Sequence, residues 1–159
     1  MTCIVVLDNI RSVHNVGSMF RTANSAGVEH IYLCGITPTP TDRFGKIRQG
    51  FDKVALGAEK TVAWTYKKST SQVLINLKKD GYTIIAVEQS PRASVYDAYK
   101  PSRSQKKIAL VMGNEVKGIG KAICEKADTI LEIPQQGTKE SLNVVVAFGI
   151  VVFYITRYA

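Results

Sequence analysis

The residues with the clearest chemical potential form three polar clusters, and the first combines an amide, a glycine and an arginine. Asn15, Gly17 and Arg21 stand at the start of a predicted helix, and Asn15 is of the type that caps helices. Gly17 allows a second backbone or a ligand to come close. Arg21 has no structural explanation of this kind, and we expect it on the same side of the helix as Asn15. Its planar guanidinium suits a phosphate group, so we predict that it binds an anion.

The second cluster, Gly113-Asn-Glu115-x-x-Gly118, follows a strand predicted at Ile108 to Met112. The continuous apolar run of that strand indicates that both of its faces are covered. A carboxylate at this point adds nothing evident to stability, although it could cap the following turn. We therefore treat Glu115 as a candidate functional residue.

The third cluster lies between a short strand and a long apolar helix, and reads Ile133-Pro-x-x-Gly137-x-x-x-Ser141-Leu142-Asn143. Open α/β folds bind ligands beyond the carboxyl ends of their strands, and all three clusters have that position. Ser141 is of the type that caps a helix, and we predict that it caps this one. Asn143 would then stand in the first turn, where no cap is needed, which favours a functional role.

Familiar nucleotide-binding and catalytic motifs are absent from the sequence. Gly113 and Gly118 have the spacing of a Walker loop, but Ile119 stands where that loop needs lysine. No glycine-rich turn follows the first strand, as a dinucleotide fold requires. His14 and His30 have no evident acid–base partner, and the three cysteines lack metal-ligand spacing, so we predict no metal site.

The elements that must position these clusters alternate along the chain. Strands that alternate with helices predict an α/β fold with a mostly parallel sheet and helices on both faces. No linker or repeat divides the chain, so we expect one domain over residues 1–159. The predicted strands are Cys3–Leu7, Ile31–Cys34, Thr61–Tyr66, Tyr82–Val87, Ile108–Met112 and Thr129–Ile133. The predicted helices begin near Val16, at Ser69, at Lys121 and at Ser141, and end before Gly27, at Lys79, at Ala127 and at Arg157.

The formal net charge is +8 and the pI is near 9.5. This indicates either an anionic partner, with nucleic acid as the leading candidate, or a basic surface that binds nothing specifically. The irregular segment from Gly35 to Asp52 places Arg43, Lys46 and Arg48 around two phenylalanines. Cations interleaved with aromatic rings suit RNA, through phosphate contacts and base stacking. A solvated loop with two anchoring phenylalanines explains the same pattern nearly as well.

The location of the protein is predicted from its apolar runs and its cysteines. The longest apolar run, Val144 to Ile155, is too short to span a membrane, and the N-terminus lacks the basic region of a signal peptide. Cys3, Cys34 and Cys124 are far apart and odd in number, as expected for reduced, mostly buried thiols. We expect a cytoplasmic protein with no membrane segment.

In this order, the three clusters resemble the motifs of the SpoU/TrmH family of RNA ribose 2'-O-methyltransferases, within the SPOUT superfamily. The resemblance covers essentially the whole chain, and the third cluster is its most specific part. It implies an α/β domain with a deep C-terminal trefoil knot, S-adenosylmethionine held by the knot loops, and a homodimer with the active site at the interface. The catalytic residues it implies are Arg21, Asn15, Glu115, Ser141 and Asn143. The cofactor contacts are Gly113, Gly118, Ile133, Gly137, Ser141 and Leu142, with Glu88 added from outside the motifs.

The resemblance implies transfer of a methyl group to a ribose 2'-hydroxyl of RNA. Small members without an appended RNA-binding domain often act on tRNA, and the chain shows no such domain, so tRNA is favoured over rRNA. We expect Arg21, Arg43, Lys46 and Arg48 to contact the RNA. A guanidinium stays protonated in proteins, so Arg21 should bind phosphate and stabilise charge instead of acting as a base. Two alternatives are a non-catalytic RNA-binding or assembly protein, and a doubly wound nucleotide-binding enzyme, which the missing glycine fingerprint disfavours.

Overall fold

A seven-stranded sheet with helices on both sides forms the body of the computed structural model, which describes residues 1–102 and 104–157. The strands are β1 (Thr2–Asp8), β2 (His30–Cys34), β3 (Ala63–Lys67), β4 (Thr83–Val87), β5 (Ser94–Val95), β6 (Lys107–Met112) and β7 (Thr129–Glu132). The α-helices are α1 (Val13–Ser25), α2 (Phe51–Ala55), α3 (Thr70–Lys79), α4 (Lys121–Cys124) and α5 (Val144–Thr156). Short 3₁₀ turns occupy Ala58–Lys60 and Tyr96–Ala98.

The strands lie in the spatial order β3-β2-β1-β6-β4-β7-β5, and every pairing between them is parallel. The predicted parallel α/β sheet is therefore confirmed. Because all strands point the same way, their carboxyl ends meet at one edge. β6 lies between β1 and β4, and β4 lies between β6 and β7, so the loops after these four strands are neighbours there.

Alternating side chains cover both faces of the central strands. On β1, Val5 and Leu7 face one apolar cluster, whereas Ile4 and Val6 face the other. Helices α1, α2 and α5 pack on the first face, and α3 and α4 on the second. The prediction of helices on both faces is confirmed. Each fully buried aliphatic side chain in these clusters contributes about 1.5–3 kcal/mol to the free energy of folding.

The start of α1 differs from the prediction. The helix begins at Val13 and is capped by Ser12, whose hydroxyl accepts a hydrogen bond from Asn15 N at 3.2 Å. Asn15 is therefore not the cap, and its own amide is available for another partner. Gly17 faces α2, where a Cβ would lie 3.0 Å from Phe51 O, so a second backbone uses its lack of a side chain.

The start of α5 also differs from the prediction. The chain stays non-helical from residue 133 to Asn143, and α5 begins at Val144. Asn143 is the cap, because its side chain accepts a hydrogen bond from Val145 N at 2.8 Å. The prediction that Ser141 caps this helix is wrong, since two non-helical residues, Leu142 and Asn143, separate Ser141 from the first helical residue.

Two short elements had no periodic signal in the sequence. Helix α2 begins at Phe51, at the end of the irregular segment. It is held by packing, because Phe51 is fully buried and contacts Phe20 edge-on with ring centroids 5.5 Å apart. Strand β5 has only two residues and pairs with β7 at the edge of the sheet.

All three cysteines are free and buried, as predicted. Burial raises the pKa of Cys3 to about 12 and that of Cys34 to about 11, so both thiols stay protonated at neutral pH. Among the described helices, none is both long and apolar enough to cross a membrane. Within residues 1–102 and 104–157, no three or more His, Cys, Asp and Glu side chains are grouped so that they could hold a metal ion.

Candidate active site

A pocket of about 370 Å³ lies beyond the carboxyl ends of β4, β6 and β7. Its size is within the range of small-molecule sites. Its walls come from residues 87–89 at the end of β4, from the turn 112–118 after β6, and from residues of the segment 132–147. The second and third polar clusters are thereby brought together.

Most of the predicted cofactor contacts lie in the wall of this pocket. The members of the wall are Glu88, Gly113, Gly118, Ile133, Ser141 and Leu142. Of the other predicted site residues, Glu115 also lines the pocket, whereas Gly137 and Asn143 are not among its described lining residues. Asn143 caps α5 through its Oδ1, and its catalytic role stays a prediction.

The turn after β6 is tightly closed, and two glycines make this possible. Asn114 and Gly118 exchange backbone hydrogen bonds at 2.9 and 3.2 Å, and Asn114 Oδ1 accepts from the backbone of Val116 and Lys117. A Cβ on Gly113 would lie 2.6 Å from the backbone of Gly118. Gly118 has a φ of +65°, and a Cβ there would overlap the carboxylate of a neighbouring glutamate. Larger residues at either position would force the turn open.

Glu88 is that neighbouring glutamate, and it holds the turn to the end of β4. Its Oε2 accepts from Ile119 N at 2.7 Å, and its Oε1 accepts from Gln89 N at 2.9 Å. The Gln89 side chain donates to Glu140 O at 2.8 Å and so connects the same strand end to the third segment. Sequence reasoning missed Gln89; its one signal was its position next to Glu88 at a strand end.

Glu115 joins the second cluster to the first. Its carboxylate accepts from the backbone N–H groups of Arg11 and Ser12 and from the Asn15 side chain, at 2.9–3.2 Å. Burial alone would raise the pKa of Glu115, but these hydrogen bonds together lower it from the usual 4.5. The carboxylate therefore stays ionised at the positive end of α1, where a negative charge is stabilising.

Arg21 lies away from this group. It lines a separate hollow with Phe153 of α5 and with residues from α1 and α2. Six residues along an α-helix turn the side chain about a third of a revolution away, so Arg21 and Asn15 lie on different sides of α1. The expectation that they share a side is wrong for this reason, and Arg21 is not among the described residues that line the pocket of its own chain.

The irregular segment from Gly35 to Asp52, which we call the basic loop, holds its two phenylalanines differently. Phe51 is buried, as an anchoring residue should be, whereas the Phe44 side chain is 78% exposed. Of the two phenylalanines that could anchor the loop, therefore, only Phe51 does so. Arg43 and Lys46 are exposed, and Arg48 is half-buried with its Nε donating to a backbone carbonyl at 2.8 Å.

Comparison with known proteins assigns this arrangement to a class, the RNA methyltransferases of α/β fold. The chain belongs to the SpoU rRNA Methylase family, whose model matches residues 2–153. Two curated relatives share the name 23S rRNA (guanosine-2'-O-)-methyltransferase RlmB. The one from Ralstonia nicotianae is 34% identical over 155 residues, or 97% of this chain and 58% of that protein. The one from Neisseria meningitidis is 33% identical over 148 residues, 93% and 55%. The chain thus spans little more than half the length of these relatives.

Solved structures agree with this assignment. An AdoMet-bound rRNA methyltransferase from Sinorhizobium meliloti superposes with a TM-score of 0.86 at 25% identity, over 99% of this chain and 56% of that one. A TrmH/SpoU tRNA modifying enzyme from A. aeolicus gives a TM-score of 0.82 at 30% identity, over 98% of this chain and 74% of that one. The resemblance inferred from the three clusters is confirmed.

Proposed function

We propose that this protein transfers a methyl group from S-adenosylmethionine to a ribose 2'-hydroxyl of RNA. The observation that carries the proposal is the pocket of about 370 Å³, because the second and third clusters line it and the first cluster is hydrogen-bonded to it through Glu115. The names of the relatives, which describe ribose methylation and bound AdoMet, support the same chemistry.

The charges of the pocket suit a cationic ligand. S-adenosylmethionine carries a sulfonium and an ammonium group, and Glu88, Glu115, Glu132 and Glu140 line the pocket, whereas Lys117 is the single lysine or arginine of its described lining. Although the chain carries a net charge of +8, carboxylates outnumber cationic side chains in the described lining of this pocket. Gly113 and Gly118 also line the pocket, and without side chains their backbone lets a ligand come close.

The residues of the chain would position the reactants and exclude water. S-adenosylmethionine, when bound, supplies a methyl group that is already electrophilic. Glu115 has its oxygens occupied by three donors, so we assign it, with Asn15, the positioning of the turn 113–118 against α1. Ser141 is exposed on the pocket wall, and its hydroxyl is available to the ribose.

Arg21 would complete the site from a second subunit. The resemblance implies a homodimer with the active site at the interface, and such a dimer would explain why Arg21 does not line the pocket of its own chain. It shares its hollow with Phe153, an apolar side chain of α5 that is 49% exposed, as expected near a subunit contact. Arg21 would bind the RNA phosphate and stabilise charge on the 2'-oxygen. Near-normal turnover by Arg21→Lys would count against the bidentate guanidinium.

A mixing experiment tests this arrangement. Arg21→Ala and Gly118→Ala subunits are unfolded together and refolded as mixed dimers, and methyl transfer is measured at an S-adenosylmethionine concentration low enough that neither variant alone shows appreciable turnover. If Arg21 acts across the interface, each mixed dimer has one complete site, and about a quarter of the wild-type activity returns. No recovery, with mixed dimers shown by mass spectrometry, would place Arg21 in its own subunit's site.

Ribosomal RNA is the better-supported substrate. The sequence alone favoured tRNA, but both curated relatives described above are named for 23S rRNA, and this supports rRNA more strongly. A tRNA remains the second candidate, since the A. aeolicus enzyme is named for tRNA and this chain covers 74% of it. A non-catalytic RNA-binding role is the third. We expect the cytoplasm as the location, where free cysteines such as these stay reduced.

The test combines binding and product analysis. Calorimetry is expected to show S-adenosylmethionine binding, and methyl-labelled cofactor should label rRNA from cells that lack the gene more strongly than their tRNA. Alkaline hydrolysis then separates the products, because 2'-O-methylation protects the adjacent phosphodiester and leaves labelled dinucleotides. Label in mononucleotides would mean base methylation, and absence of cofactor binding would favour the non-catalytic role.

The trefoil knot implied by the resemblance is part of the proposal. We propose that the segment from residue 133 to the end of α5 passes through a neighbouring loop and so closes the pocket. A crystal structure would exclude the knot if its traced backbone shows that this segment passes through no loop of the chain.

A further inference from the structure

We infer that Phe44 and Arg43 form a stacking site for an unpaired base of the RNA, an inference that rests on the proposed function for the kind of nucleic acid. Single exposed apolar side chains are ordinary on protein surfaces, so exposure alone decides nothing. Three further properties of this ring carry the inference: the rigidity of its turn, the cations around it, and its place relative to the pocket.

The turn that presents Phe44 is held by hydrogen bonds. Asp42 Oδ1 accepts from Phe44 N at 2.8 Å and from Lys46 N at 3.0 Å. Asp42 N donates to Lys46 O at 2.8 Å, and Thr41 pairs with Ile47 in an antiparallel bridge. The ring is thus presented by an ordered backbone, which reduces the conformational entropy lost on binding.

The surroundings of the ring suit a nucleotide. The Arg43 guanidinium carbon lies 4.7 Å from the centroid of the Phe44 ring, within the distance of a cation–π contact. The side chain is still 78% exposed with Arg43 over it, so much of the ring remains open. Arg43 and Lys46 are themselves exposed. Proteins that bind single strands combine aromatic rings for the bases with cations for the phosphates in this way.

Both ends of the loop are attached at the edge of the sheet that carries the pocket. At its start, Ile36 N donates to Asn9 Oδ1 at 3.1 Å. At its end, Gly50 packs so closely against the His14 ring that a Cβ would lie 2.8 Å from Nε2. His14 directly precedes Asn15, whose amide contacts the pocket-lining turn. The loop that carries Phe44 is therefore attached at both ends to residues next to the pocket-lining turn, and we expect RNA stacked on it to continue to the site of methyl transfer.

The experiment measures binding of a fluorescein-labelled single-stranded oligoadenylate and of an RNA duplex of the same length, without S-adenosylmethionine. Phe44→Ala is expected to weaken binding of the single strand about 5- to 100-fold and to leave the duplex within about twofold, because paired bases are not free to stack. Phe44→Trp should bind the single strand as well as wild type. Ile75→Ala, which removes an exposed apolar side chain from α3, is the matched control and should change neither.

Phe44→Leu separates stacking from apolar packing, since leucine keeps the bulk and loses the π face. It should bind the single strand as weakly as Phe44→Ala. Binding as tight as Phe44→Trp, or an unchanged affinity of Phe44→Ala, would overturn the inference. Because no methyl donor is present, the outcome is independent of catalysis: a protein that stacks the strand through Phe44 but never methylates RNA would refute only the proposed function.

Discussion

Replacing Glu115 with glutamine tests whether this carboxylate holds the pocket-lining turn to α1. Glu115 accepts hydrogen bonds from the backbone of Arg11 and Ser12 and from the Asn15 side chain, at 2.9–3.2 Å. Glutamine has the same length and keeps one acceptor oxygen. It also places an NH₂ group against a backbone N–H and removes the negative charge from the start of α1.

The size of the effect follows from these contacts. A hydrogen bond to a charged group contributes about 1.5–3 kcal/mol, and less where water competes. Because Glu115 is partly exposed, we expect a total loss of about 2 kcal/mol, or a Tm lower by about 4–8 °C. Asn15→Ala removes one of the donors, so the double variant should lose less stability than the sum of the two single variants.

The pH dependence gives an independent check. Hydrogen bonds hold the pKa of Glu115 below the usual 4.5, against the opposing effect of burial. A carboxyl group with a lowered folded-state pKa stabilises the fold above its unfolded-state pKa, and the contribution is lost as pH falls through the folded-state value. The stability difference between wild type and Glu115→Gln should therefore be constant near neutral pH and shrink below about pH 4.5.

Urea unfolding at a series of pH values measures both effects. Glu125→Gln is the matched control, because its ion pair with Lys121 is solvent-exposed at 3.9 Å and contributes less than about 0.5 kcal/mol. Glu115 does not hold the turn in this way if Glu115→Gln is no less stable than Glu125→Gln, or if the loss of unfolding free energy in Glu115→Gln grows as the pH falls.

Three further predictions concern the closed turn, the last helix and the basic loop. Gly118→Ala should weaken S-adenosylmethionine binding at least about tenfold in calorimetry, because it strains a left-handed position, whereas Gly120→Ala, with open space for a Cβ, should not. Asn143→Ala should lower the free energy of unfolding by about 1 kcal/mol through loss of the cap, and equal loss from Ser141→Ala would contradict this assignment. Ser141→Ala should instead reduce methyl transfer. Lys46→Glu should flatten the salt dependence of RNA binding by about 0.7 in the log–log slope, and an unchanged slope would remove it from the RNA contact surface.

Most elements of the fold could be predicted because their signals are local. Buried strands appear as continuous apolar runs, and a helix such as α3 is delimited by its cap at Ser69 and by the glycine at position 81. Short elements such as α2 and β5 escaped prediction, because they are stabilised by contacts distant in sequence. Phe51, for example, is buried by its packing against Phe20 of α1.

The caps illustrate how a local signal can be ambiguous. Ser12 and Asn15 are both capping types within one turn, as are Ser141 and Asn143, and the sequence alone does not rank them. The choice depends on where the backbone leaves the extended conformation. For α5 that point is set by the path of the preceding segment along the pocket, which is a property of the folded chain.

By itself, the sequence determined the α/β class, the family and the identity of the three polar clusters, because burial periodicity and motif residues are carried by the chain in order. Only the tertiary structure decided which clusters meet. Asn15 and Glu115 are separated by 100 residues, yet their side chains are 2.9 Å apart, because β1 and β6 are neighbours in the sheet. Glu88 holds the same turn from β4, through Ile119 N, because β4 lies on the other side of β6. Arg21, inside a motif, lies elsewhere because the rotation of α1 turns it away from the pocket.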